Sequence, residues 1–393
     1  MQFIDLGRQQ KRIRAAIDTR IAAVLDHGSY IMGPEVEELE VRLCAFTGAR
    51  HCVSCASGTD ALLMALMAWN IGPGDAVFVP AFTFFATAEV VSLLGATPVP
   101  VDINPATFIL RPQDLERAVK AVRARDASLH PLPVQARERA LQPRAVIPVD
   151  LFGLPAPYGD ILPLAERHGL MVLEDAAQSF GAEHNGRKTC ALGCQASATS
   201  FFPAKPLGCY GDGGALFTDD DTLAEILRSL RVHGKGADKY DNTRIGINGR
   251  MDTLQAAILL AKLDIFAEEL ASRRTLASLY HELLSPIPGV TPPYIPGPQD
   301  GRSSVWAQYC ISVEGGRRDK LVAHLKGAGI PVNIYYPKPL HMLEALRHLG
   351  YAAKDLPSAL EASRRVLALP FHPYMTEEEA RAVARAVQEG MRA

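Results

Sequence analysis

Apolar positions recur along this chain with two periods, and the change from one to the other maps its elements. Ile13, Ala16, Ile17, Ile21, Val24 and Leu25 return at helical spacing within residues 9–27, and Gly28 follows as a stop. Val36, Leu39, Leu43 and Phe46 mark a second amphipathic helix over 35–46. Both are expected to flank a main domain. From His51 onward, short apolar runs alternate with helical ones. The predicted strands are His51–Cys55, Ala76–Pro80, Pro98–Val101, Ala145–Leu151, Leu170–Glu174, Ala198–Phe202 and Ala215–Thr218. Ala61–Trp69, Thr83–Leu94, Gln113–Arg123 and Tyr158–His168 read as helices between them, and another runs on to about Val232. This rhythm predicts an α/β fold: a large, mostly parallel seven-stranded sheet sandwiched by helices, with right-handed crossovers.

Three stretches break the rhythm. Residues 124–144 carry Arg, Pro, His and Gln without a period and are expected to form an inserted surface loop with room for one helical turn. Residues 233–249 are polar and glycine-rich, too long for a plain connector, and ordered loops of that kind tend to be functional. Asp252 to about Leu284 then reads as one long helix. The Pro- and Gly-rich stretch 286–304 is the expected domain boundary, separating a large domain over 1–285 from a small C-terminal α/β domain over 286–393. In the small domain, strands are predicted at Val305–Val313 and Val332–Tyr335, and helices at Lys320–Ala328 and near 342–349, 357–367 and 376–391.

Composition narrows the function classes. The 393 residues include 41 Lys and Arg against 43 Asp and Glu, so there is no electrostatic footprint for nucleic acid or an anionic membrane. No apolar run approaches the ~20 residues that span a bilayer. Met1-Gln2-Phe3-Ile4-Asp5 lacks the basic head and apolar core of a signal peptide, so a cytoplasmic protein is expected. Seven cysteines in so long a chain make no disulfide scaffold. Cys52 and Cys55 form a C-x-x-C pair, with Cys190 and Cys194 further on, and a zinc or redox site is one reading. On a strand, however, the first two point to opposite faces, so small buried thiols and no metal site are the expectation.

Three short stretches carry chemistry. Ser57-Gly58-Thr59-Asp60 follows a strand and opens a helix, where free N–H groups face an anion; an ordinary helix cap would look the same. Glu174-Asp175-Ala176-Ala177-Gln178 ends another strand, the place where parallel sheets bind ligands. A carboxylate there can pair with a protonated pyridine nitrogen, and Gln178 can reach a ring hydroxyl; an acidic first helical turn is the plainer alternative. Ser200 to Gly214 sets Lys205 between an aromatic strand end and a glycine-rich turn. Desolvation there favours the neutral amine, a nucleophile that forms a Schiff base with an aldehyde such as pyridoxal phosphate; a surface lysine is the alternative. Gly208, Gly211, Gly213 and Gly214 do not follow a strand and open a helix, so they are no dinucleotide loop.

Further segments add to these: Phe3-Ile4-Asp5-Leu6, Gly58 to Leu62, Pro80 to Thr87, Glu174 to Gln178, Ser200 to Lys205 and Gly246-Ile-Asn-Gly-Arg-Met-Asp252. Through them nearly the whole chain resembles the fold type I pyridoxal phosphate enzymes, and among these the DegT-type sugar-nucleotide aminotransferases. The resemblance implies roles. Lys205 bonds the cofactor's aldehyde and then carries the proton. Asp175 pairs with the pyridine nitrogen, Gln178 contacts the ring hydroxyl, and Phe84, otherwise a core aromatic, stacks on the ring. Gly58, Thr59 and Ser200 bind the phosphate, and Asn248 reaches the phosphate across a homodimer interface, so the sites are shared. A lysine at position 205, where some relatives carry histidine and dehydrate, implies transamination. The segments 247–259 and 201–214 look most like enzymes acting at C3 of UDP-2-acetamido-2-deoxy-3-oxo-glucuronate in surface-polysaccharide (lipopolysaccharide) synthesis. There Arg250 suits the sugar carboxylate, or else a salt bridge to Asp252; Tyr336 and His341 line the sugar pocket, or else pack between domains. The implied amino donor is glutamate, released as 2-oxoglutarate. Amination at C4 of a 4-keto-6-deoxy sugar nucleotide, and a regulatory protein without turnover, are the alternatives.

Overall fold

The computed structural model describes residues 1–238 and 240–392; within the loop 233–249, Lys239 therefore lies outside the described residues. In chain order the strands are β1 (His51–Cys55), β2 (Asp75–Pro80), β3 (Thr97–Val101), β4 (Gln142–Val146), β5 (Met171–Asp175), β6 (Glu183–His184), β7 (Arg187–Lys188), β8 (Ala196–Ser200), β9 (Gly214–Thr218), β10 (Val290–Thr291), β11 (Arg302–Ser303), β12 (Tyr309–Val313) and β13 (Val366–Leu369). The helices are α1 (Leu6–His27), α2 (Pro34–Thr47), α3 (Gly58–Ala68), α4 (Ala86–Leu93), α5 (Pro112–Ala124), α6 (Val134–Glu138), α7 (Tyr158–Arg167), α8 (Asp221–Leu230), α9 (Thr253–Leu263), α10 (Phe266–Leu284), α11 (Arg318–Gly327), α12 (Pro357–Arg365) and α13 (Glu377–Arg392).

All seven expected large-domain strands join one sheet, in the order β1-β9-β8-β5-β4-β2-β3. Six are parallel; β9 alone runs antiparallel, to both β1 and β8. Because strand side chains alternate, neighbours in sequence feed different cores. Val53, Val77, Val79 and Leu216 pack against α3, α4 and α8, whereas Ala76, Phe78 and Val172 pack against α5 and α7. Cys52, Ala215 and Phe217 face α2 and α9. Cys55 belongs to the first of these cores and Cys52 to the last, so the C-x-x-C pair straddles the sheet as two free, buried thiols. No cluster of three or more possible metal ligands occurs among the described residues. No helix among them is long and apolar enough to cross a membrane.

Several expectations need correction. The 252–284 segment is two helices, broken at Asp264–Ile265. No glycine or proline marks the break, so it left no sequence signal; it lets α9 pack on α1 and α2 while the end of α10 turns into the C-terminal core. Residues 124–144 are not a mere surface loop. Leu132 and Ala136 enter the core beneath α5 and α7, His130 meets the Pro100 carbonyl at 3.0 Å, and β4 already begins at Gln142. The helix expected from Thr83 starts only at Ala86, which frees Thr83 and Phe84 for a cavity wall. Val332–Tyr335 contributes one bridge, Asn333 to Ala368, rather than a strand. Beside β10, β12 pairs with β13, whose four residues are all buried and whose start falls within the helix expected over 357–367.

Candidate active site

The C-terminal ends of the parallel strands open into a cavity of about 450 Å³, within the range of small-molecule sites. Gly58, Thr59, Phe84, Asp175, Gln178, Ser200, Lys205 and Tyr336 all line it, so eight of the residues singled out in sequence meet in one place.

At one end, β1 runs into α3. Ser57 caps the helix by accepting from the Asp60 N–H at 3.0 Å, and the first intrahelical donor is Ala61, to Ser57 O. The N–H groups of Gly58 and Thr59 therefore remain as the unspent donors of a helix N-terminus. Cap and anion site are both present, on different N–H groups. A Cβ at Gly58 would stand 2.6 Å from Ser200 Cβ, so only glycine lets this turn press against the end of β8.

Lys205 follows β8 in a turn tied at both ends: Lys205 N–H donates to Phe202 O at 2.8 Å, and Phe201 N–H to Gly213 O at 2.7 Å. Burial pushes the Lys205 ammonium below its usual range, and the Asp175 carboxylate opposes that shift. Asp175, at the end of β5, accepts from Thr87 Oγ1 at 3.0 Å and from the Ala177 N–H at 3.2 Å. Burial raises its pKa, and those contacts with Lys205 lower it. Apart from Lys205, no lysine or arginine lines the cavity among the described residues. A buried carboxylate so placed calls for a cationic ligand atom.

Gln178 is oriented by its neighbours. Its Oε1 accepts from the Phe152 N–H at 2.7 Å, which turns Nε2 towards Tyr336 Oη, 3.3 Å away. Phe84 remains 57% exposed at the mouth, tilted against Tyr336 with ring centroids 6.3 Å apart; it is no core aromatic. Behind this wall lies a second acidic layer. Asp150 and Glu174 are both 0% exposed. Asp150 accepts from Ala156 N–H, Tyr158 Oη and Ser179 Oγ at 2.7–2.8 Å, and Glu174 from Ser197 Oγ at 2.5 Å and Cys190 N–H. Burial raises both carboxyls, and the charge of Asp150 raises Glu174 further.

Three expected residues stand elsewhere. His341 is 4% exposed, with Nε2 facing the Ala353 carbonyl at 3.4 Å and its ring edge-on to Tyr351. Its place is in packing, not in the cavity wall, because Leu340 and Leu346 beside it enter the main core. Asn248 is exposed, and its backbone bridges Val232. Arg250 lies just beyond it, with a buried Nε that meets no acceptor among the described residues. Sequence reading missed Thr87, the hydroxyl on Asp175, and also Gln308 and Tyr335 in the wall. Thr87 sits in the Pro80–Thr87 segment already noted; Gln308 lies inside an apolar run and carried no signal.

The chain and its fold have counterparts. The profile of the DegT/DnrJ/EryC1/StrS aminotransferase family matches residues 11–388. A Pseudomonas aeruginosa protein, UDP-2-acetamido-2-deoxy-3-oxo-D-glucuronate aminotransferase, is 46% identical over 375 residues, 95% of this chain and 96% of that one. The crystal structure of a DegT/DnrJ/EryC1/StrS aminotransferase from Brucella abortus is 48% identical and superposes with a TM-score of 0.91, covering 99% of both chains. NtdA of Bacillus subtilis, solved with its cofactor PMP bound, is 28% identical with a TM-score of 0.86, over 100% of this chain and 83% of that one. With the profile running almost end to end and the buried lysine facing an acid at the sheet's edge, this chain belongs to the DegT/DnrJ/EryC1/StrS aminotransferase family and is a pyridoxal phosphate-dependent transaminase.

Proposed function

We propose that the protein transfers the amino group of glutamate to C3 of UDP-2-acetamido-2-deoxy-3-oxo-glucuronate, supplying an amino sugar for surface polysaccharide. The observation that carries the chemistry is the buried Lys205 amine facing Asp175 across a cavity lined by no other lysine or arginine among the described residues. The substrate rests on likeness to the Pseudomonas relative.

The residues present fit pyridoxal phosphate. Gly58 and Thr59 N–H groups with Ser200 suit a phosphate dianion, Asp175 suits a pyridinium, and Phe84 offers a ring face. When bound, the cofactor supplies an aldehyde carbon that condenses with amines and a ring that takes up the electron pair of a broken C–H bond. With the cofactor bound, Asp175 would hold a proton on the ring nitrogen. Lys205 Nζ, neutral through burial, would accept the proton from Cα of the amino donor and carry it for the next transfer. The Gln178 Nε2 hydrogen not given to Tyr336 would be free to donate to the ring hydroxyl. The same steps, reversed, aminate the keto sugar.

A cation is still wanted for the sugar carboxylate. We assign it to a second copy of the chain. The exposed run Tyr30, Ile31 and Met32 lies against the segment that carries Arg250, through an Ile31–Asp252 bridge and Thr253 N–H to Tyr30 O at 2.9 Å. Such an apolar edge suits a homodimer that brings Asn248 to the partner's phosphate and Arg250 to the sugar carboxylate. Purified protein given glutamate and each keto sugar tests the reading. Amino sugar from the 3-oxo-glucuronate is expected; product only from a 4-keto-6-deoxy sugar nucleotide would overturn it.

A further inference from the structure

Gln178 presents a donor to the cavity because two turns hold its amide one way round, and a single buried residue joins both turns. Asp150 is 0% exposed. Its N–H donates to Asp175 O at 3.1 Å. Its Oδ2 accepts from Ser179 Oγ at 2.7 Å, and its Oδ1 from the Ala156 N–H and from Tyr158 Oη, each at 2.8 Å. Ser179 directly follows Gln178, and Ala156 closes the 150–156 turn that contains Phe152. One carboxylate therefore clamps the turn that carries Gln178 to the turn whose Phe152 N–H orients it.

The 150–156 turn does not keep its shape unaided. Phe152 at φ 60° and Gly153 at φ 102° are successive left-handed residues, a conformation that a bulky side chain rarely adopts. Strain of this kind persists only where surrounding structure enforces it, and it clusters at ligand sites. One side of the turn is held by Val305 N–H to Gly153 O and Ala307 N–H to Phe152 O, each at 3.0 Å. Asp150 holds the other side.

Stability alone does not explain a carboxylate here. Burying one is costly, and the buried Glu174 carboxyl is close enough to feel its charge. What the carboxylate adds is the ability to accept from both turns at once. The two ends of a glutamine amide have nearly the same shape and opposite polarity. With the Phe152 N–H in place, a reversed Gln178 amide would set two N–H groups against each other. With that turn released, the amide reverses at little loss and points its oxygen at the cofactor. We propose that Asp150 is a positioning residue: by joining the 150–156 and 175–179 turns it fixes the polarity of Gln178 towards the cofactor's ring hydroxyl. This rests on the reading of Gln178 given above.

A donor on the ring oxygen lowers the pH at which the bound cofactor gives up the proton shared with that oxygen. The pH midpoint of the holoenzyme's visible absorbance therefore reads the amide's polarity. Gln178→Leu should raise the midpoint by about one pH unit, the scale of one hydrogen bond to a charged oxygen. Asp150→Ala should raise it in the same direction, whereas loss of a buried negative charge by itself would lower it. Ser179→Ala removes one arm of the clamp and no charge, so it should fold even where Asp150→Ala does not, and should raise the midpoint by part of the Gln178→Leu shift. In a Gln178→Leu background neither substitution should raise it further. A midpoint that stays or falls in Ser179→Ala, or that rises as much without Gln178 as with it, would overturn the proposal. An unmoved midpoint in Gln178→Leu refutes the ring-hydroxyl role of Gln178 itself, and the proposal with it.

Discussion

Lys205 and Asp175 each perturb the other, and the directions can be checked. Asp175 holds the Lys205 pKa up against burial. Asp175→Asn should therefore move the pH midpoint of Lys205 labelling in the cofactor-free protein downwards, read by mass spectrometry of an amine-reactive probe. An upward shift would mean that Asp175 does not hold the Lys205 pKa up. Lys205→Ala should lose the cofactor's visible absorption as an imine and lower turnover by about 10²–10⁴-fold; retained turnover would refute its role. Glu174 gives a different pH signature. Its carboxyl is raised above the usual 4.5, so the folded state holds a proton that the unfolded chain releases. Stability is then greatest at low pH and falls as pH rises above about 4.5, by up to ~1.4 kcal/mol per pH unit for one proton. Glu174→Gln, which removes the titrating proton and keeps a neutral side chain beside Asp150, should flatten that slope in melting curves between acid and neutral pH. At this scale Lys205, Asp175 and Gln178 were legible because their types are rare at strand ends without a reason. Gln308 was not, since nothing in a run such as Val305 to Val313 marks one polar position as lining the cavity.

The turn between β1 and α3 shows how an element makes a site from backbone alone. Gly58 is present for close approach, since a Cβ there would stand 2.6 Å from Ser200 Cβ, not for an unusual φ. Gly58→Ala should push α3 away from β8, cost roughly 1–3 kcal/mol of stability and weaken cofactor binding, measured by thermal melting and by dialysis of the cofactor. A variant with wild-type melting and cofactor retention would show that β8 gives way instead. The large sheet was readable where strands are short buried runs: all five residues of β3 and of β9 are buried. Boundaries were weaker where tertiary packing decides them. The break between α9 and α10 follows from the core each must reach, and β13 was absorbed into a helix because only its pairing with β12 makes it a strand.

For the molecule as a whole, sequence marked the boundary at 286, but Leu276, Ala277, Tyr280 and Leu284 of α10 pack into the core of the C-terminal sheet. We propose that the end of α10 belongs with the smaller unit. Shared sites make a sharper forecast. Asn248→Asp should be inactive, because a carboxylate there repels the partner's phosphate. Mixed with inactive Lys205→Ala and allowed to exchange subunits, it should regain activity, since one site of each hybrid has both residues intact; a mixture that stays inactive would place Asn248 in its own subunit's site. The hairpin from β8 to β9 has one last implication. Its tip carries Lys205 and its two arms are zipped into the sheet from Ser197 to Phe217, so adding or removing a residue between 201 and 213 shifts the amine or breaks the zipper. The stretch after α5 ends on the opposite rim, beside β4, where extra length disturbs no reacting atom. Homologous chains can vary in length there at little chemical penalty, while the lysine's arm keeps one fixed reach.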